Sequence, residues 1–237
     1  MIGKLKVIAV IPARGGSKVL HNKNIIDLCG KPLIAYTIEA ALKSKYIDRV
    51  IVSTDSEKIT IAAKKFGAEV PFVRPDYLAT DKAHTLPVIE HAVKFIEKQS
   101  YNADFVVTLQ PTSPLRKIEQ IDEAIELMHK SKLDSVVSVK PADYPPYWVV
   151  KVKNSRIIPF INDGTDYFKK ERQQLPKTHQ INGAIYVTKK DVLYEKKVVI
   201  SKNCGAIIMD NKTSLDIDTE LDLKYAEFLL KESMSAL

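Results

Sequence analysis

Cysteine, tryptophan, glycine and long hydrophobic runs are all scarce in this chain of 237 residues. Its two cysteines, Cys29 and Cys204, cannot by themselves make a disulfide framework or a zinc site. The longest apolar runs, such as Val7–Pro12, fall far short of the roughly 20 residues that a membrane-spanning helix needs. No signal-peptide pattern precedes the first strand-like run. We therefore expect a protein that works in a reducing cytoplasm and does not enter a membrane.

Arginine is also scarce, and the cations form no block. The chain has 36 Lys and Arg against 29 Asp and Glu, a net charge of +7, yet only six of these cations are arginines. The lysines are scattered among acidic residues, which favours a solvated surface, or an anionic small substrate, over nucleic acid. Arginine, whose planar fork grips phosphate or carboxylate with two hydrogen bonds, can be reserved for binding sites.

Short β-branched runs alternate with helical patterns along most of the chain. Strand patterns lie at Lys6–Ile11, Arg49–Ser53, Val70–Val73, Asp104–Leu109, Ser135–Lys140, Ile185–Thr188 and Ala206–Met209. Helical patterns lie between them, and Thr219-x-x-Asp222 predicts the start of a last helix with a core face of Leu221, Tyr225, Phe228 and Leu229. This order predicts an α/β fold with a doubly wound, mostly parallel sheet.

The alternation stops between Pro141 and about Gln180. Pro141, Pro145 and Pro146, the only tryptophan and short strand-like pieces replace it. We interpret the segment as an excursion from the sheet, either an antiparallel arm or a subunit contact. The chain is expected to form a single domain over residues 1–237, with this arm inserted at about 141–180.

The loop after the first strand is the richest in polar and flexible residues. Gly15 and Gly16 allow backbone N–H groups to approach an anion, and Arg14, Ser17, Lys18 and Lys23 supply charge and donors. The loop matches neither a Walker A motif nor G-x-G-x-x-G. Composition alone leaves two interpretations open, a phosphate-binding loop and an ordinary basic turn.

Other polar clusters follow later strands, where ligands bind in open α/β sheets. The segment from Arg74 to Thr85 could contact a ligand or hold a surface salt bridge, and Gln110–Arg116 could be a ligand loop or a proline-punctuated turn. Asp216 and Asp218 stand in an i, i+2 relation, so on an extended segment both carboxylates point to one face. They suit a hard cation such as Mg²⁺, although acids at a helix N-terminus explain them equally well.

Five motifs taken together resemble the acylneuraminate cytidylyltransferases, the CMP-sialic acid and CMP-nonulosonate synthetases. In chain order they are Ile11–Lys18 with Lys23-Asn24, Leu109–Arg116, Arg172–Pro176, Asn182–Tyr186 and Ser214–Asp222. The resemblance extends from about residue 6 to residue 228. It implies the Rossmann-like fold of nucleotide-diphospho-sugar transferases, a Mg²⁺ cofactor, and a homodimer joined through the 141–180 arm.

The resemblance also implies roles for individual residues. Nucleotide binding falls to Arg14, Ser17, Lys18, Lys23, Asn24, Arg74 and Thr85, and sugar binding to Gln110, Arg172, Gln180, Asn182 and Tyr186. The implied metal ligands are Asp216 and Asp218, and the implied catalytic residues are Arg14, Lys23 and Asp218. The partners are CTP and a nonulosonic acid, with no nucleic acid and no membrane.

The implied reaction suits these residue types. The nucleophile is the anomeric hydroxyl of an anionic sugar and the electrophile is the α-phosphorus of a polyanion, so like charges must be held together. Arg14, Lys23 and Mg²⁺ would offset the charge that develops on the departing pyrophosphate. The hydroxyl must also lose its proton, for which an aspartate or a metal-bound hydroxide is the available base.

The chain departs from the family pattern at a few positions. Val19 and His21 stand where the first loop usually has Gly and then Pro, and Tyr147 and Gln180 lie where sialic acid enzymes often have Lys and Arg. The sugar is therefore N-acetylneuraminate or another nonulosonate, such as legionaminic or pseudaminic acid. A CMP-Kdo synthetase and a non-catalytic protein that binds nucleotide sugars are the alternatives.

Overall fold

Short runs of β-branched residues form the strands of the computed structural model, which describes residues 5–235. The strands are β1 (Val7–Pro12), β2 (Asp27–Leu28), β3 (Lys31–Pro32), β4 (Arg49–Ser53), β5 (Phe105–Leu109), β6 (Ser135–Pro141), β7 (Val150–Lys153), β8 (Arg156–Pro159), β9 (His179–Lys189) and β10 (Cys204–Ile208). The helices are α1 (Leu33–Leu42), α2 (Glu57–Lys65), α3 (Thr85–Glu97), α4 (Ile118–Lys130), α5 (Lys190–Glu195) and α6 (Glu220–Ser235). The first four and last two residues of the expected 1–237 domain lie outside the described range.

Six strands form the main sheet in the order β10-β6-β9-β5-β1-β4. β1 pairs in parallel with β4 and β5, and β10 pairs in parallel with β6. β9 runs antiparallel to both of its neighbours, β5 and β6, so it alone opposes the direction of the other five. The mostly parallel sheet predicted from the alternation of strands and helices is confirmed.

Both faces of the sheet are covered by helices. On β1, Ala9 and Ile11 face a cluster that includes Ile38 of α1 and Ile121 of α4. The alternate residues Ile8 and Val10 face a second cluster, built with apolar residues of α3 and α5. Because successive side chains of a strand point to opposite faces, a run that is apolar throughout indicates burial on both sides. Because helices cover both faces of the sheet, we expect ligands to bind at the loops that follow the strands.

The strand predicted at Val70–Val73 is wrong. Only Glu69, just before it, makes a single parallel bridge to Ile51, and Val73 is 77% exposed. Pro71 explains the difference, since it has no N–H to donate to a ladder. The segment instead leads as a loop into Arg74, whose backbone N–H donates to the Thr54 carbonyl at 2.8 Å.

The core face predicted for the last helix is also wrong, although its start is correct. The Thr219 backbone N–H donates to Asp222 Oδ2 at 2.8 Å, and the Asp222 N–H donates back to Thr219 Oγ1 at 3.3 Å. The helix then buries Ala226 and packs Leu223 and Leu230 against the cluster around Leu28. The predicted face is mostly exposed, with Leu221 at 75%, Tyr225 at 52% and Phe228 at 55%, and Leu229 only partly buried. The helix carries two apolar stripes, and periodicity alone could not tell which one faces the domain.

The chain leaves the main sheet between the end of β6 and the start of β9. Within this excursion β7 and β8 form an antiparallel hairpin. β9 begins at His179, well before the predicted Ile185, because its first residues pair with the last residues of β6 at Lys140 and Pro141. In the described part of the chain, no helix has the length and apolar character needed to cross a membrane.

Candidate active site

The loop after β1 is fixed by contacts from its own end and from the loop after β4. The Gly15 N–H donates to Asp55 Oδ1 at 2.9 Å. A Cβ on Gly15 would lie 3.0 Å from Ser56 Cβ, a tight contact, so this close approach favours glycine. Asn24 is buried, and its side-chain N–H donates to the Arg14 carbonyl at 2.9 Å. These bonds set the backbone that presents the Arg14 side chain.

Arg74 is a second cation at this end of the sheet, and it is almost fully buried at 4% exposure. Its Nε donates to Ser53 Oγ at 3.1 Å, and its Nη2 donates to the Ser53 carbonyl. The pKa of the guanidinium is lowered to about 10, chiefly by burial, while Asp55 opposes the shift and the nearby Arg14 adds to it. At neutral pH the group remains charged, so it adds a fixed positive charge to the cleft floor.

These residues line one cleft, of about 240 Å³, beyond the ends of β1 and β5. Six of the predicted site residues lie in it, namely Arg14, Lys23, Asn24, Arg74, Thr85 and Gln110. Thr80, Asp81 and Thr112 also line it, and the sequence did not single them out. Of the other two nucleotide-side residues predicted, Ser17 is half-buried in the same loop and Lys18 reaches the cleft through Asp81.

Asp81 links two of the predicted nucleotide-binding cations. Its Oδ1 lies 2.5 Å from Arg14 Nη1, and its Oδ2 lies 2.5 Å from Lys18 Nζ. The contacts with Lys18 and Arg14 lower the pKa of the Asp81 carboxyl. The carboxylate therefore stays ionised at neutral pH, between the two cations.

The two aspartates predicted as metal ligands share one face of an extended segment. Ile217 between them is fully buried, and its N–H donates to the Thr112 carbonyl at 2.9 Å. Asp216 and Asp218 on either side of it are exposed, and two residues of the cleft lining lie beside them, Thr112 at Asp216 and Lys23 at Asp218. Lys23 Nζ, from the first loop, lies 2.9 Å from Asp218 Oδ1.

The environment of Asp216 disfavours its charged form when no cation is bound. Asp216 keeps solvent access on one side, but partial burial of its carboxyl raises the pKa, and Asp218 adds to the rise. A hydrogen bond from Thr112 and the charge of Lys23 act in the opposite direction. A cation bound between the two carboxylates would remove this repulsion.

The donor set at this position fits a magnesium ion. The described residues hold no group of three or more His, Cys, Asp or Glu side chains placed to enclose a metal. Mg²⁺ does not need such a cage, because it is usually bound by one or two carboxylates together with substrate phosphates and waters. Two carboxylates beside a cleft lined by cations match this mode of binding.

Arg116 is buried next to the cleft. This residue had no role of its own in the sequence analysis. Its Nε donates to the Ala184 carbonyl at 3.0 Å, its Nη1 to Thr37 Oγ1 at 3.3 Å, and its Nη2 to the Gln110 carbonyl at 2.6 Å. Burial lowers the pKa of its guanidinium to about 9, against an opposing effect of Asp216. One side chain thus ties together α1, β9 and the loop that presents Gln110. The scarcity of arginine in the sequence was the signal that could have found it.

The predicted sugar-side residues fall into two groups. Tyr186 is half-buried, and its burial raises the pKa of its hydroxyl, with a further contribution from the charge of Asp216. The Asn182 side chain accepts from Ser138 Oγ at 2.6 Å and donates to Ser214 Oγ at 2.9 Å. It thereby anchors the turn that leads to Asp216.

Arg172 and Gln180 lie apart from the cleft, at the base of the arm. Arg172 is exposed, and its Nη2 donates to the Asp143 carbonyl at 3.1 Å. The Gln180 side chain donates to Asp143 Oδ2 at 3.3 Å. Arg172 lines a separate cavity with Leu175 and other residues of the arm. Within the described chain, the arm does not bring this guanidinium to the cleft that holds Arg14.

Comparison with known proteins agrees with the five motifs. A family model described as Cytidylyltransferase matches residues 8–229. The chain is 40% identical over 225 residues to an N-acylneuraminate cytidylyltransferase of Escherichia coli O18:K1:H7, a match that covers 94% of this chain and 52% of that protein. It is 37% identical over 237 residues to a CMP-N,N'-diacetyllegionaminic acid synthase of Legionella pneumophila, covering 98% of this chain and 100% of that protein.

A solved structure supports the fold independently. The structure of a CMP:2-keto-3-deoxy-manno-octonic acid synthetase complexed with CTP has a TM-score of 0.72 with this chain at 21% identity, covering 96% of this chain and 99% of that one. At that identity the likeness concerns the fold, while the sequence matches concern the family. The resemblance carried by the motifs is confirmed, and the chain belongs to the cytidylyltransferase family.

Proposed function

We propose that the protein transfers CMP from CTP to the anomeric hydroxyl of a nonulosonic acid and releases pyrophosphate. The observation that carries the proposal is the junction of Lys23 with Asp218, which joins a cleft lined by cations to a pair of carboxylates. A polyanion, a divalent cation and the carboxylate pair can meet there. The relatives at 37% and 40% identity, named for two different nonulosonic acids, support this substrate class.

The nucleotide half of the site would hold the triphosphate of CTP. Arg14, Lys23 and Arg74 line the cleft and supply positive charge. Lys18 and Ser17 belong to the same loop as Arg14, and Lys18 contacts Asp81 of the cleft lining. Cations placed where charge develops stabilise a transferring phosphoryl group and the leaving pyrophosphate. Asn24 acts through the Arg14 backbone, and Thr85 borders the cleft at the first turn of α3.

The carboxylate pair would hold Mg²⁺ and handle the proton of the attacking hydroxyl. Bound between Asp216 and Asp218, the ion would neutralise phosphate charge and polarise the α-phosphoryl group. The sugar hydroxyl forms a bond to the α-phosphorus while the bond from that phosphorus to the bridging oxygen of pyrophosphate breaks. A carboxylate of the pair accepts the hydroxyl proton. Lys23, in contact with Asp218, is placed to stabilise the departing pyrophosphate.

The sugar half would be built from the loop after β5 and from β9. Gln110 lines the cleft, and Tyr186 is half-buried on β9. Arg172 would bind the sugar carboxylate through its planar fork. Because Arg172 and Gln180 lie on the arm, away from this chain's own cleft, we propose a homodimer in which the arm of one copy completes the sugar half of the other. The cytoplasmic location expected from the sequence stays a prediction.

Pyrophosphate release tests the proposed function. The purified protein is assayed with CTP, UTP, ATP and GTP, each against N-acetylneuraminic, legionaminic and pseudaminic acids and Kdo, with Mg²⁺ present. We expect release with CTP and at least one nonulosonic acid, and much weaker release with Kdo. A preference for Kdo, or the absence of release with every sugar, would contradict the proposal.

A further inference from the structure

Asp81 contacts Arg14 and Lys18, two of the cations that would bind the phosphates of the nucleotide. Its two carboxylate oxygens lie 2.5 Å from Arg14 Nη1 and 2.5 Å from Lys18 Nζ. Arg14 and Lys18 belong to the loop after β1, whereas Asp81 belongs to the segment before α3, so the contact crosses the cleft. The carboxylate occupies the position between the two cations that a phosphate group of similar shape and charge could take.

The bonds of Asp81 differ from those of two structural aspartates, Asp55 and Asp222. Asp55 accepts the Gly15 N–H, and Asp222 accepts the Thr219 N–H, so both fix backbone. Within residues 5–235, the Asp81 carboxylate bonds only to the two cations. Lys18 is 79% exposed along its side chain, and the Asp81 side chain is 39% exposed. Ion pairs exposed to this extent add little to stability, so a ligand can replace one partner at small cost.

We propose that Asp81 is an internal counter-anion, which holds Arg14 and Lys18 in the empty site and is displaced by the β- and γ-phosphates of CTP. The inference rests on the proposed function and extends it to ligand discrimination. A triphosphate or pyrophosphate has enough charge to take both cations from Asp81. CMP and a CMP-sugar have a single phosphate, and they compete poorly for the pair. When pyrophosphate leaves, Asp81 returns to the cations and opposes its rebinding.

Calorimetric titration of inorganic pyrophosphate, CTP and CMP, at a fixed Mg²⁺ concentration and without sugar, tests the inference. Asp81→Asn is compared with the wild-type protein and with Asp76→Asn, an exposed residue at the start of the same segment that undergoes the same change of charge. We expect Asp81→Asn to bind pyrophosphate and CTP at least ~5-fold more tightly, and CMP within ~2-fold of wild type, since only the first two ligands compete for both cations. Asp76→Asn should stay within ~2-fold for all three ligands.

Two outcomes would overturn the inference. Weaker pyrophosphate binding in Asp81→Asn would mean that the carboxylate orients the cations for the ligand, and an effect equal to that of Asp76→Asn would mean a general charge effect only. Asp81→Ser provides a second variant if Asp81→Asn folds poorly, as judged by its melting temperature. Failure of the proposed function can be told apart from failure of this inference. A protein that binds pyrophosphate but releases none from CTP with any sugar would contradict the proposed function, while the binding of pyrophosphate to the variants could still be compared.

Discussion

Lys23 Nζ lies 2.9 Å from Oδ1 of Asp218, although 195 positions separate the two residues in the chain. The contact joins the loop after β1 to the turn before α6, and so joins the nucleotide cleft to the carboxylate pair. A polyphosphate and a divalent cation bound at this junction would share both sets of charges. Substitutions in the cleft or in the carboxylate pair should therefore change the kinetics of the proposed reaction.

Asp218→Asn should lower kcat at least ~100-fold with the fold intact, comparable to the loss of one key electrostatic contact at a transition state. The amide is a weaker ligand for Mg²⁺ than the carboxylate, and it cannot accept the proton of the sugar hydroxyl. Turnover measured as a function of Mg²⁺ concentration checks the prediction. Glu220→Gln is the matched control, since this exposed acid lies two residues away and should keep the wild-type rate. A full-rate Asp218→Asn enzyme at low Mg²⁺ would falsify the assignment.

Arg14→Ala should weaken CTP binding and slow turnover together, because its charge would act on bound and departing phosphates alike. We expect kcat/KM for CTP to fall at least ~10-fold, the effect of losing a hydrogen bond to a charged group. Steady-state kinetics against CTP measure both constants. Arg156→Ala, on the exposed strand β8, is the control. If Arg156→Ala is impaired and Arg14→Ala is not, the nucleotide half has been assigned to the wrong loop.

Arg172→Lys should raise KM for the sugar roughly tenfold, on the order of 1.4 kcal/mol, because it keeps the charge but loses the planar fork. KM for CTP should barely change. Kinetics with each substrate varied in turn separate the two effects. A higher KM for CTP with an unchanged KM for the sugar would show that the two halves of the site are divided incorrectly, and no change in either would make Arg172 a surface cation.

Arg116→Met should destabilise the fold by about 3 kcal/mol or more, since it leaves buried oxygens without their donor. The affected acceptors are the carbonyls of Ala184 and Gln110 and the hydroxyl of Thr37. Denaturant unfolding measures the free energy. Arg156→Met, on the exposed hairpin, should change it by less than about 0.5 kcal/mol. Equal stabilities for the two variants would contradict the role given to Arg116.

The parts of the structure that depend on local patterns were predictable from the sequence. Arg49–Ser53 was predicted with the bounds that the structure has, and the capping residues Thr219 and Asp222 were predicted correctly. Predictions from local patterns were wrong where an adjacent residue or the packing of the folded chain determined the structure. At Val70–Val73, Pro71 has no N–H to donate to a neighbouring strand. In α6, the apolar stripe around Ala226 packs against the domain, whereas the equally periodic stripe that contains Leu221 is exposed.

Contacts between distant segments were not predictable from spacing. Asp55 and Asp81 lie 40 and 67 positions from their partners Gly15 and Arg14, and nothing in the sequence relates them. The family motifs pointed to Arg14, which lines the cleft, and to Asp218, which contacts Lys23 of the same cleft, because each motif is a short local pattern. They gave no information on which acid faces which cation in the folded chain.

The identity of the product tests the proposed transfer of CMP to the sugar. The protein is incubated with CTP, Mg²⁺ and each nonulosonic acid, and the products are measured by mass spectrometry together with pyrophosphate. We expect one CMP-sugar ester for each pyrophosphate released. Pyrophosphate accompanied by free CMP, with no CMP-sugar at any time point, would show hydrolysis of CTP and would contradict the proposed reaction.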